Sequence, residues 1–110
     1  MNTRLYKSMH NGWTAKTIVN TPEIGERRFL ELVTCKRYTG EVATIATVCT
    51  RTEDGVGYTF VVFQDFNRAV ASEKTRATEK NVEKMHRLAL QHIESLKRDA
   101  CEHYGVAVTA

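Results

Sequence analysis

Proline occurs once in 110 residues and glycine six times, which excludes a low-complexity linker or a collagen-like repeat. No apolar run approaches the ~20 residues that cross a bilayer, so no membrane association is expected. The stretch Met1-Asn2-Thr3-Arg4-Leu5-Tyr6-Lys7 lacks the apolar segment of a secretory signal. Cysteine is sparse too: Cys35, Cys49 and Cys101 show no CxxC spacing. That removes the signature of a zinc site or a thioredoxin-type redox pair. The three read as reduced, buried thiols of a cytoplasmic protein.

What is present is ordinary for a globular chain. Hydrophobic residues make up 42%, aromatics 8% and charged residues 26%, and 16 Lys plus Arg against 13 Asp plus Glu leave a formal +3. Length suits one domain over residues 1–110, with an N-terminal hairpin at 3–20, a central sheet at 27–64 and a helix at about 75–104.

Asn11-Gly12 lies between two strand-like runs, a strong hairpin signal because both residues tolerate positive φ. Thr21-Pro22-Glu23-Ile24-Gly25 then interrupts the chain. Residues 27–37 read as a strand, although Glu26 to Leu32 also suits a short helix. Glu41 to Thr50 is dominated by Val, Ile and Thr, which fit a pleated surface. Asp54-Gly55 marks another turn before Gly57 to Gln64. The expected fold is α+β: an antiparallel meander of about five strands followed by one long amphipathic helix. Asp65 to Val70 stays open between a helical turn and a loop, and Gly105 to Ala110 between a frayed tail and an edge strand.

The helix is announced by Val82, Met85, Ala89, Ile93, Leu96, Ala100 and Tyr104, spaced three or four apart. Thr75 or Thr78 can cap its start, and Gly105 suits the left-handed residue after its end. Uninterrupted from 78 to 104 it would measure ~40 Å and overhang strands of ~30 Å.

Two-residue turns at Thr39-Gly40 and Asp54-Gly55 set Leu32 opposite Thr47 and Cys49 opposite Phe60. One face then carries Leu30, Leu32, Ile45, Cys49, Phe60 and Val62, and the other Val33, Cys35, Ala46, Val48, Val61 and Phe63. Both are apolar, whereas a sheet with one wet face should alternate. One helix covers one face, so a second layer is expected: a second copy, or the hairpin folded over through Tyr6, Trp13 and Val19. The expected dimer interface is Val33, Val48, Val61, Phe63, Ile93, Leu96 and Ala100.

Chemistry is weakly signalled. His86, His92 and His103 show no i, i+4 pairing and read as surface or boundary residues; no metal or cofactor site is expected. Cys101 and His103 make a loose CxH pairing that would need an orienting group to act as a nucleophile. Nothing matches a phosphate loop or a nucleophile elbow. The basic residues form a candidate binding surface: Arg27, Arg28, Lys36 and Arg37 near strand ends, with Lys80, Lys84 and Arg87 on one helical stripe. Glu79 and Glu83 beside that stripe weaken its field. The leading expectation is a non-enzymatic, homodimeric module that regulates or inhibits a protein target. The alternatives are a nucleic-acid-binding protein using the basic helix stripe, and a small enzyme with a Cys/His site.

Overall fold

The computed structural model describes residues 2–10, 12–25, 27–53 and 59–106. Five strands, β1 (Asn2–Ser8), β2 (Gly12–Asn20), β3 (Arg28–Lys36), β4 (Val42–Glu53) and β5 (Thr59–Glu73), form one antiparallel sheet in sequence order. Two helices follow, α1 (Glu79–Leu90) and α2 (Ile93–His103). Extents of 39 × 38 × 24 Å suit a sheet with one layer of helices. No helix among the described residues is long and apolar enough to cross a membrane.

The α+β class and the antiparallel meander are as expected; the single long helix is not. At Gln91 and His92 the backbone tightens into i→i+3 hydrogen bonds, Gln91 N–H donating to the Leu88 carbonyl and His92 N–H to that of Ala89. Neither residue is a helix breaker. The break divides the packing of the two helices between two clusters. Val82 and Met85 of α1 pack on Ala15 and Val42, while Ile93, Leu96, Ala100 and Cys101 of α2 pack on Val19, Leu30, Val48 and Phe66. Segments of ~18 and ~17 Å follow both clusters, where a straight helix of ~40 Å would project past the second. The caps lie where expected. Thr78 accepts from Asn81 N–H at 3.2 Å, and Gly105 sits at φ +67° while Val106 N–H reaches back to the Cys101 carbonyl.

Turn length decides which side chains meet. Lys36 pairs with Val42, and Arg37 N–H donates to the Glu41 carbonyl at 2.8 Å. The loop is therefore three residues, 38–40, with Gly40 at φ +101°. It is not the two-residue turn expected at Thr39-Gly40. That single residue slips the register so that Leu32 faces Ala46, not Thr47, and exchanges the faces of β4. The first hairpin differs similarly: Ser8 pairs with Gly12, so residues 9–11 connect the strands and Gly12, at φ +73°, opens β2. Asn11, the Asp54-Gly55 turn and the end of the tail, 107–110, lie outside the described residues.

Asp65 to Val70 is neither helix nor loop but the middle of β5, which extends the sheet to Glu73. Register shifts between Thr44 and Ile45 and between Thr47 and Cys49 mark bulges in the β4–β5 ladder, which add bend and twist. Phe66 is fully buried under α2, edge-on to His103 at 5.6 Å.

Candidate binding surfaces

The helix-covered face carries Ala15, Thr17 and Val19 of β2, Leu30, Leu32 and Thr34 of β3, and Val42, Thr44, Ala46 and Val48 of β4, all buried. Three threonines in this row are unusual for a core, and one histidine explains them. His86 is 2% exposed, a correction of the surface or boundary position expected for it. Its Nε2 lies 2.6 Å from Thr17 Oγ1 and its Nδ1 2.8 Å from Thr34 Oγ1. Thr17 is also hydrogen-bonded to Thr3 at 2.8 Å, and Thr34 to Thr44 at 2.5 Å. Each of those threonine pairs faces directly across two strands, and the imidazole bridges the diagonal between them. One chain of hydrogen bonds thus ties β1 to β4 under α1. Burial pushes the His86 pKa below the ordinary imidazole value. The ring is neutral at pH 7, with one nitrogen donating and the other accepting.

The neighbouring cleft, lined by Thr3, Leu5, Ala15, Glu83, His86, Arg87 and Leu90, holds about 80 Å³. Substrate pockets run to ~300 Å³ and more, so the network joins elements without facing a reaction chamber. Cys101 packs into the apolar core and His103 lies edge-on to Tyr104 as well as Phe66. Among the described residues, no three His, Cys, Asp or Glu side chains gather where a metal could be held.

The expected dimer interface is divided between locations. Val48, Ile93, Leu96 and Ala100 belong to the chain's own core, because the register and the helix break both turn them inward. Val33 sits half-buried on the opposite face. Val61 and Phe63 lie in β5 opposite Arg51 and Cys49, and their side chains fall outside the described part of the structure.

The expected basic surface is likewise scattered. Arg27 and Arg28 stand at one end of β3 and Lys36 and Arg37 at the other, about 26 Å apart at 3.3 Å per residue. Arg28 is spent on its own fold, stacking 4.3 Å above the Tyr104 ring and donating to the Ile24 carbonyl. Lys80, Lys84 and Arg87 share a shallow groove on α1 with Glu79 and Glu83, and Arg87 pairs with Glu83 at 4.0 Å. That groove carries interleaved charges of both signs.

Among the described residues, no helix lies over the second face of the sheet. The N-terminal hairpin does not fold across it, because β1 and β2 continue the sheet at its edge and Trp13 points with Ala15 toward α1. Two adjacent rows cross this face: Arg4–Lys16–Val33–Ile45–Ala69 and Asn2–Ile18–Glu31–Thr47–Asn67. Ile18, Val33, Cys35 and Ile45 are half-buried here. Lys16 and the nearly buried Glu31 form an ion pair at 3.1 Å, a self-satisfied charge beside an apolar strip. Toward one end, Phe29 and Cys49 face each other, 1% and 0% exposed, with the Arg51 guanidinium 4.4 Å above the Phe29 ring. Burial, helped by the Glu31 charge, pushes the Cys49 thiol up to about 12, which keeps it protonated near neutral pH.

The uncovered face was legible as a prediction of two apolar faces, with Val33 and Cys35 grouped correctly on it, but its β4 members were exchanged because the turn length sets them. Arg4 and Lys16 are strand neighbours only once the first hairpin's register is known. No protein-family model, characterised protein or solved structure matches this chain.

Proposed function

We propose that this chain is a non-enzymatic interaction module that works as a homodimer and regulates or occludes a protein target. The observation that carries the reading is the sheet face without a helical layer among the described residues, where Val33, Cys35 and Ile45 lie half-buried on the adjacent strands β3 and β4. Monomers seldom leave a contiguous apolar patch open unless it serves an interaction. A two-fold pairing applies the same strip to itself and is the commonest oligomer symmetry. Lys16 and Glu31 neutralise each other beside it, so pairing over the strip brings no uncompensated charge from these two residues.

Light scattering tests this directly. At micromolar concentration the expected mass is twice the 12.5 kDa chain. Ile45→Glu places a charge in the middle of the strip, at a half-buried position facing Val33, and is expected to give a folded monomer with unchanged helical circular dichroism. A wild-type mass of 12.5 kDa, or a dimer indifferent to Ile45→Glu, contradicts the reading.

A further inference from the structure

Beside the apolar strip, at the β1–β2 edge of the same face, lies an open groove of about 450 Å³ lined by Asn2, Arg4, Lys16, Ile18, Asn20 and Arg51. We propose that it binds the phosphodiester backbone of single-stranded nucleic acid. This goes beyond the pairing of two copies, and stands whether or not the strip pairs them.

The charge pattern carries the inference. Among the described residues, three cations and two carboxamides line the groove and no carboxylate does. Glu31 stands behind Lys16 and offsets it. The free positive charge is therefore that of Arg4 and Arg51, both exposed. This contrasts with the stripe on α1, where Glu79 and Glu83 share the groove with its three cations.

Both arginines are also pre-positioned. Arg4 lies 4.9 Å from the centre of the Tyr6 ring and Arg51 lies 4.4 Å from that of Phe29. A guanidinium drawn over a ring gives up part of its rotamer freedom before any ligand arrives. Fixed guanidinium forks match phosphate oxygens, and single strands bind where a cationic groove follows the backbone beside stacking planes. Asn2 and Asn20 supply donors and acceptors for sugar or base edges.

Fluorescence anisotropy with a labelled oligothymidylate of ~20 nucleotides tests the site, with a poly-glutamate peptide of similar length as the second probe. The oligonucleotide should bind with an affinity that falls steeply with salt. The double variant Arg4→Gln/Arg51→Gln should weaken it about tenfold or more and flatten the log–log salt dependence by roughly 1–1.5. Arg4→Lys/Arg51→Lys, which keeps both charges, should recover part of the loss. Lys80→Gln/Lys84→Gln should leave the affinity unchanged. Failure to bind the oligonucleotide overturns the proposal. So does equal or tighter capture of poly-glutamate at the same arginines, which would mark an acidic protein segment as the occupant. Loss of binding on changing the α1 lysines would also overturn it. None of these readouts depends on the mass measured by light scattering, so the groove and the dimer fail separately.

Discussion

Replacing His86 by alanine is expected to lower stability by about 3 kcal/mol, and the melting temperature by roughly 10–15 °C. The size follows from three losses at one site. The ring is almost fully buried, so its removal leaves a cavity under α1. Thr17 and Thr34 each lose a hydrogen bond, though each retains a threonine partner, which limits that part to about 1 kcal/mol per bond. The tie between β1–β2 and β3–β4 through the helix is then broken. Urea denaturation reads the effect. A midpoint unchanged in the alanine variant would show that the network contributes nothing to the fold.

The same residue predicts a pH dependence. Burial depresses the His86 pKa in the folded chain, so below the ordinary imidazole value of 6.5 the unfolded chain holds more protons than the folded one. Stability is therefore full above that value and falls as pH drops through it toward the folded pKa, by up to about 1.4 kcal/mol per pH unit. His86→Gln keeps a donor and an acceptor but cannot titrate. Its stability is expected to change less between about pH 7 and about pH 5 than that of the native chain. Equal slopes for the two would assign the acid sensitivity elsewhere.

Gly12→Val is expected to cost about 3 kcal/mol, more than a hairpin turn alone would suggest. The backbone at Gly12 holds φ +73°, where a branched side chain is strained by ~1–3 kcal/mol. A Cβ there would also stand 2.7 Å from the Ala77 carbonyl oxygen, the same oxygen that accepts from Trp13 N–H at 2.9 Å. Relieving the contact means parting the start of β2 from the segment that leads into α1. A shift of the urea midpoint measures the cost. A midpoint equal to the native one would mean that residue 12 does not hold a left-handed conformation against Ala77.

The sequence carried the element types well, for reasons that are local. Branched residues along Val42 to Thr50, the Pro22 and Gly25 interruption and the Val82 to Ala100 stripe all act over a few residues. The failures are non-local. Gly40 permits both a two-residue and a three-residue loop, and only the pairing of Lys36 with Val42 decides between them. The β4–β5 bulges and the break at Gln91–His92 depend on how one element packs against another. His86 was detectable in principle. It stands four residues after Val82 and three before Ala89, on the buried stripe, and threonines 17, 34 and 44 interrupt an otherwise apolar face. Arg4 and Arg51 gave no comparable signal, since they meet only through the folded sheet.

We propose that the uncovered sheet face is where this chain meets a second copy of itself. Cys35 reports on it without any substitution. It lies two residues from Val33 on β3 and is half-buried, while Cys49 and Cys101 are buried. Burial raises the Cys35 thiol above its ordinary value of 9.0, and its alkylation is followed by mass spectrometry. As protein concentration rises through the micromolar range, the rate of Cys35 alkylation should fall as the pairing equilibrium closes over the strip, in step with the mass from light scattering. A Cys35 rate that stays constant while the mass doubles would place the contact on another surface and contradict the account.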